Sequence, residues 1–175
     1  MKFKIFALLL VGNVLLPMAV PAQTLESIDG FDAELHLNLK GCFGASIGEN
    51  LACLSHALET CHGFTNDLST AGGYYYCSYV AFEKVDAELN RHYSGYVNAA
   101  AQNAWGEERR AESEELLRAA QRAWVSYRDA MCEVSPRWSG IGPGFDAVVD
   151  DCRSRLTLMQ LETLSSELGG FNHDQ

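Results

Sequence analysis

The stretch from Leu116 to Cys132, LLRAAQRAWVSYRDAMC, is the clearest amphipathic helix in the chain. Its apolar residues recur at steps of three or four, which places them on one helical face: Leu116, Ala120, Ala123, Tyr127 and Met131. We therefore expect this face to pack inward and the helix to end near Cys132. The stretch lacks neighbouring side chains suited to covalent or acid–base chemistry, so it predicts architecture and not an active site.

The same periodicity predicts three further helices, with turns rich in Gly and Pro between them. Their expected limits, with about 111–132 for the stretch above, are 49–63, about 75–103 and about 145–168. Residues 64–73 and the segment from Pro136 to Gly144 are predicted loops. No segment is typical of a strand. The predicted fold is all-α, a small disulfide-stapled domain built on a long antiparallel helical hairpin plus a C-terminal helix.

The first 22 residues have the pattern of a signal peptide. Lys2 and Lys4 precede an apolar run from Ile5 to Leu16, and Val20-Pro21-Ala22 resembles a cleavage site. An uncleaved anchor is the alternative, but the run is short for a membrane span. We expect cleavage after Ala22 and no stable membrane anchor afterwards. The predicted division is a signal peptide (1–22), an extension containing Cys42 (23–52), a helical domain (53–168) and a flexible tail (169–175).

The chain is acidic, with a formal net charge of −10. Removing Lys2 and Lys4 with the signal peptide leaves −12. Such a charge repels nucleic acid and suits basic partners, although it also serves ordinary solubility. The run from Glu107 to Glu115 has five Glu and two Arg. It is either a solvated first part of a helix or an acidic docking patch.

All six cysteines follow the signal peptide: Cys42, Cys53, Cys61, Cys77, Cys132 and Cys152. An even number in an exported chain indicates three disulfides, although the count leaves many pairings open. Cys53 and Cys61 would lie about 12 Å apart on one helix, too far to pair with each other. Zinc ligation is the competing interpretation, but paired Cys or His spacings are missing. We expect no metal and no cofactor.

A hydrolase interpretation depends on Gly44-Ala-Ser46-Ile-Gly48, which matches the G-x-S-x-G pattern of a nucleophile elbow. That elbow needs a buried strand before it and a helix after it within a larger sheet. The sequence has no such strand, so a turn that leads into a helix is favoured. His92, next to Tyr93, is expected at the surface. We expect no catalytic residue and no enzymatic activity.

Three motifs together resemble a known family of exported bacterial proteins. They are Cys77 before a long helix, the block D-x-x-L-N-x-x-Y from Asp86 to Tyr93, and the block A-Q-R-A-W-x-x-Y-R-D-x-x-C from Ala120 to Cys132. A Gly-rich loop, Cys152 and Thr157 follow. From about Cys53 to Leu164 the chain resembles the lysozyme inhibitor LprI-like N-terminal domain. One departure is Gln160, where the family usually has Arg.

The resemblance implies a helical architecture, a periplasmic or secreted location, and binding of a basic lysozyme-like protein. We interpret its shared residues as structural: Asp86, Leu89, Asn90, Tyr93, Gln121, Arg122, Trp124, Tyr127, Arg128 and Asp129. Trp124 and Tyr127 are expected to fill the hairpin core. Arg122, Arg128 and Asp129 are expected to pair with Asp86 and Asn90 on the preceding helix.

In the helical layout that the resemblance implies, the expected disulfides are Cys42–Cys53, Cys61–Cys77 and Cys132–Cys152. The last would close the loop from Ser135 to Phe145, where Arg137 and Trp138 are possible partner contacts. An envelope structural or assembly module that shares only the fold is the alternative function.

Overall fold

The computed structural model describes residues 37–44, 46–65, 71–102, 104, 106–139 and 144–168. This part of the chain contains four helices and no strand: α1 (Ile47–Thr65), α2 (Ala71–Gln102), α3 (Glu107–Ser139) and α4 (Phe145–Glu167). The all-α prediction is confirmed. The predicted signal peptide, residues 23–36 of the extension and the predicted tail lie outside the described residues.

Helices α2 and α3 are the long arms of an antiparallel hairpin. They have 32 and 33 residues, so each is about 50 Å long. Gly106 lies in the connection with φ of 91°, a left-handed conformation that glycine adopts without the steric cost of a Cβ. α4 packs along both arms, and α1 packs on α2 and α4. This arrangement is the predicted hairpin with its C-terminal helix.

The interior consists of two clusters that lie along α2. The larger one joins the segment before α1, α1 itself and the first half of α2, with Leu54, Tyr76 and Val85 almost fully buried. The smaller one contains Leu89, Tyr96 and Leu164, and half-buried Leu117 and Trp124 pack against it. Residues 37–44 and Ser46, here called the strap, contribute Leu37 and Leu39 to the larger cluster.

Three disulfides connect these elements: Cys42–Cys53, Cys61–Cys77 and Cys132–Cys152. They are the pairs that the resemblance implied, and no cysteine is free. The first ties the strap to α1, the second ties α1 to α2, and the third ties α3 to α4. They span 11, 16 and 20 residues. In the chain-entropy model each stabilises the fold by about 3 kcal/mol.

Two predicted helix ends were wrong. α3 does not end at Cys132 but continues through Pro136 to Ser139. Pro136 cannot donate a hydrogen bond to the Cys132 carbonyl, and its ring crowds that carbonyl; the helix ends three residues later. α2 begins at Ala71 and not near Tyr75. Gly72 and Gly73 lie in its first turn and not in the middle of the helix, where glycine is destabilising.

The predicted inward face of α3 was also wrong. Leu116, Tyr127 and Met131 are 63%, 56% and 48% exposed. The helix instead turns inward a neighbouring face: Leu117, Gln121, Trp124, Arg128 and Cys132. Two apolar residues of α4, Val148 and Met159, are exposed as well. The reason lies in the polar contacts of α3, which periodicity does not report.

Candidate functional site

Arg128 is the polar centre where three helices meet. The residue is 6% exposed, and its Nη1 donates to Asp86 Oδ1 at 2.7 Å and to Thr157 Oγ1 at 3.2 Å. Its Nε donates to Asp129 Oδ1 at 2.9 Å. A buried charge needs such partners to offset its desolvation. Arg128 therefore connects α3 to α2 through Asp86 and to α4 through Thr157.

Aromatic rings flank the same guanidinium. Its carbon lies 5.0 Å from the centre of the Phe82 ring and 5.1 Å from that of Trp124, within cation–π range. Arg153 of α4 lies 5.7 Å from the Phe82 ring and contacts Asp129 and Asp150. Burial raises the pKa of Asp150, and the hydrogen bond from Arg153 opposes this effect. These contacts hold the helices in register.

The other residues of the shared motifs have mixed positions. Asn90 Nδ2 donates to Asp86 Oδ2 at 2.9 Å, while Leu89 is buried and Tyr93 is half-buried. Gln160 Nε2 donates to Gln121 Oε1 at 3.0 Å. This amide pair joins α3 to α4 without a charge.

Three expectations for the motif residues were wrong. Arg122 does not reach α2; it pairs with Glu115 on its own helix at 2.8 Å, with both side chains exposed. Asp129 pairs with Arg128 and Arg153 and not with a residue of α2. Tyr127, expected in the core, is on the outer surface, whereas Trp124 is half-buried against the smaller cluster.

The outer surface of α3 carries an apolar stripe. Its members are all exposed and alternate at steps of four and three residues: Leu116, Ala120, Ala123, Tyr127, Ala130 and Val134. We call this row the α3 stripe; it is about 27 Å long. None of its members is charged, and exposed Met131 lies beside it. An exposed apolar row of this kind is a candidate partner-binding surface.

An acidic segment adjoins the α3 stripe at the start of the helix. Residues 107–115 have five glutamates against two arginines, a formal charge of −3, and nearly all of them are exposed. Arg118 contacts Glu114 at 3.7 Å, a weak surface pair. A partner that covers α3 would thus meet an apolar row with negative charge at one end.

A second feature is a half-enclosed pocket between the strap, α2 and α4. Its volume is about 280 Å³. Its wall on the strap side is formed by Phe43, Gly44, Ser46 and Asn50. The opposite side is formed by two helices: Glu88, His92 and Tyr96 from α2, with Leu158, Leu161, Glu162 and Ser165 from α4. His92 was expected at the surface, yet its side chain is only 12% exposed.

Negative charge dominates this pocket. Glu88 accepts hydrogen bonds from Arg91, which hold its pKa below the usual range, and it contacts His92 Nε2 at 3.1 Å. Tyr96 is 1% exposed, and burial raises the pKa of its hydroxyl, with further increases from the charges of Glu88 and Glu162. Both carboxylates therefore act on the same buried hydroxyl.

Ser46 has a structural role at the start of α1. Its Oγ donates to Glu49 Oε2 at 2.7 Å, and the Glu49 amide donates back to Oγ at 3.4 Å. The Ser46 amide also donates to Glu49 Oε2, at 3.1 Å, so the two residues form a capping box. The sequence contains the pattern of a capping box, Ser46-x-x-Glu49, next to the residues that match a nucleophile elbow.

The part of the chain that the structure describes contains neither a cluster of metal ligands nor a membrane-spanning helix. Within it, no three His, Cys, Asp or Glu side chains converge as metal ligands would. None of the four helices is long and apolar enough to cross a membrane. The side chains of Arg137 and Trp138 lie outside the described residues, so their contact with a partner stays a prediction.

Comparison with protein families identifies the helical part of the chain. A family model described as lysozyme inhibitor LprI matches residues 61–164, more than half of the sequence. The chain belongs to the lysozyme inhibitor LprI family. No curated protein and no solved structure matches it.

The LprI match begins at Cys61 and includes α2, α3, most of α4, and the Arg128 contacts. It excludes the strap, most of α1 and the Cys42–Cys53 disulfide. The α3 stripe thus lies in the part shared with the LprI family, whereas one wall of the pocket lies outside it. Sequence reasoning missed the pocket because Glu88 and Glu162 are 74 residues apart and meet only in the folded chain.

Proposed function

We propose that this LprI-family protein is an exported inhibitor that binds a basic lysozyme-type glycosidase. The structural observation that carries the proposal is the α3 stripe, an uncharged apolar row beside an acidic segment. Family membership supports the class of target, and the net charge of −12 expected after signal cleavage complements a basic enzyme. Inhibition by occlusion requires a rigid binding surface and no catalytic group.

Binding would proceed in two physical steps. The negative field of the protein steers a basic partner toward it and raises the association rate. Apolar contact with Leu116, Tyr127 and Val134 then slows dissociation, because exposed aromatic and aliphatic side chains lose water on contact. Since α3 is anchored by Arg128 and by Cys132–Cys152, the stripe is held rigid before binding.

The stripe alone is smaller than an ordinary interface. A row of about 27 Å by 10 Å covers about 300 Å², whereas a standard interface buries about 800 Å² on each partner. Neighbouring surface must contribute the rest. The next turns of α3 contain Arg137 and Trp138, which we retain as proposed contacts beyond Val134.

Export is part of the same proposal. The N-terminal pattern of residues 1–22 predicts a cleaved signal peptide, and three disulfides suit an oxidising compartment. A periplasmic or secreted location would bring the protein to the cell envelope, where lysozymes act. Expression of the full chain followed by mass spectrometry of the envelope fraction should find a mature protein that begins at Gln23.

The proposed function is tested by a lysis assay with mature protein and a panel of basic lysozymes. A stoichiometric excess should suppress lysis, and Leu116→Ser with Tyr127→Ser should weaken inhibition at least about ten-fold. Met159→Ser is the matched control, because Met159 is similarly exposed but lies on α4. Full lysozyme activity in the presence of excess protein would refute the proposal.

One observation favours a second candidate, a module that assembles through helix pairing. Alternating steps of four and three residues are typical of a helix that packs on another helix. A second copy, or a helical envelope protein, would fit this pattern. Sedimentation of the mature protein as a dimer that Tyr127→Ser dissociates, combined with no effect on lysozyme, would favour this candidate.

A further inference from the structure

We propose that the pocket between the strap, α2 and α4 binds a small organic cation, an alkylammonium or guanidinium group on an apolar body. The cation could be a free molecule or the Lys or Arg side chain of a protein partner. This site is distinct from the α3 stripe, and the proposal does not depend on lysozyme binding. It follows from the shape of the pocket, its charge and the way its wall is held.

The pocket combines apolar and acidic surfaces. Leu158 and Leu161 of α4 and Phe43 of the strap supply apolar lining. Glu88 and Glu162 supply two carboxylates from different helices. A ligand with a hydrocarbon body and a cationic end can satisfy both surfaces at once, which a purely polar or a purely apolar ligand cannot.

Only one of the two carboxylates of the pocket is balanced by a neighbouring cation. None of the described residues that line it is Lys or Arg. Glu88 shares its charge with Arg91 and His92, whereas Glu162 forms no hydrogen bond or ion pair with any residue that the structure describes. A cation entering between the two carboxylates would gain charge-assisted hydrogen bonds, which are stronger than neutral ones.

The volume limits the ligand. A pocket of about 280 Å³ is at the lower end of the range for small-molecule sites. It suits a cation with a body of about four to six carbons, such as an alkylamine or alkylguanidine. A bare metal ion does not suit it, since the described residues form no group of three ligands.

The wall of the pocket is built by this chain's own extension. Phe43, Gly44, Ser46 and Asn50 all precede Cys61, where the family match begins. Cys42–Cys53 fixes the strap on α1, and the Ser46–Glu49 capping box fixes the turn between them. The disulfide and the capping box thus both hold this wall in place. Residues 61–164, which match the family model, do not enclose the pocket by themselves.

The direct test is calorimetric titration of the mature protein with pentylamine and butylguanidine, with 1-pentanol as the neutral control. The two cations should bind saturably, and 1-pentanol at least about ten-fold more weakly. Glu162→Gln should weaken cation binding about ten-fold. Glu83→Gln removes an exposed carboxylate of α2 outside the pocket and should leave binding unchanged.

Three results would overturn the proposal: no saturable binding of either cation, equal binding of 1-pentanol, or equal effects of Glu162→Gln and Glu83→Gln. A second variant examines the wall. Cys42→Ser with Cys53→Ser should weaken pentylamine binding while circular dichroism still shows a helical protein. Unchanged affinity in this variant would contradict a site that depends on the strap.

A competition experiment distinguishes the two sources of the cation. If the pocket accepts a side chain of a basic protein, saturating pentylamine should weaken inhibition in the lysis assay. If it accepts a free molecule, inhibition should be unaffected while calorimetric binding persists. Failure to inhibit lysozyme at all would refute the proposed function and leave the titration as an independent test of the pocket.

Discussion

Arg128 is a buried arginine with several partners. Its guanidinium donates hydrogen bonds to Asp86, Asp129 and Thr157 and lies near two aromatic rings. Such a site depends on planar, forked geometry as well as on charge. A lysine would keep the charge, but its single ammonium group cannot serve three acceptors in these directions. The Arg128 side chain therefore connects α2, α3 and α4 in a way that requires arginine.

Replacement of this side chain gives the first prediction. Arg128→Lys should lower the free energy of unfolding by about 2–4 kcal/mol, because buried Thr157 and the partly exposed Asp86 and Asp129 lose the donors of a buried guanidinium. Arg122→Lys is the control: its pair with Glu115 is exposed, so the expected change is within about 0.5 kcal/mol. Urea denaturation measures both variants, and equal effects would contradict a special role for Arg128.

His62 gives a second prediction at the residue scale, which concerns pH. Its ring stacks on Tyr74 at 3.8 Å, and burial lowers its pKa below 6.5, while Asp151 opposes the shift. Between the lowered pKa and 6.5 the unfolded chain binds the proton more readily. The contribution of His62 to stability therefore falls as pH drops from 6.5 toward that lowered pKa.

His62→Phe keeps a ring against Tyr74 but cannot titrate. Asp151, Tyr74 and Arg155, the charged and titratable groups near this site, remain in the variant. The unfolding free energy of the wild type minus that of the variant should be constant above pH 7. Below pH 6.5 this difference should decrease, because only the wild type loses the contribution of His62. Urea denaturation at several pH values measures it; parallel pH profiles would refute the assignment.

At the scale of elements, α3 shows what periodicity can predict and what it cannot. The existence of all four helices follows from apolar residues at helical spacing. The inward face of α3 does not, because Leu116–Tyr127–Val134 and Leu117–Trp124–Cys132 both have that spacing. The choice depends on Arg128 and Gln121, whose partners Asp86, Thr157 and Gln160 are distant in sequence. Only the folded chain brings them together.

The disulfide between α3 and α4 provides the third prediction. Cys132→Ser with Cys152→Ser should lower the free energy of unfolding by about 3 kcal/mol, because a span of 20 residues is released. Amide exchange should quicken in residues 129–150, around the former bridge. Removal of Cys42–Cys53 is the comparison, and there the faster exchange should be confined to the strap and α1. Equal protection near residue 132 with and without the bridge would contradict this prediction.

At the scale of the whole molecule, the proposed basic partner would approach a mature protein with a formal net charge of −12, the −10 of the full chain without Lys2 and Lys4. Raising the salt concentration from about 0.05 M to about 0.3 M should lower the association rate about ten-fold and change the dissociation rate little. Stopped-flow measurement of the proposed lysozyme complex reports both rates.

Tyr127→Ser should show the opposite pattern, with faster dissociation and an unchanged salt dependence of association. This contrast separates long-range steering from apolar contact. Association rates that do not depend on salt would contradict the electrostatic part of the proposal.

The strap disulfide has a consequence for when the pocket exists. Cys42–Cys53 spans only 11 residues, while Cys61–Cys77, Cys132–Cys152 and Arg128 hold the rest of the molecule. A chain that has not yet been oxidised would lack the fixed wall around Phe43. On the proposed export route, the protein would thus be synthesised without a formed pocket and acquire one only after it reaches an oxidising compartment. The protein would then not bind the cation during its synthesis.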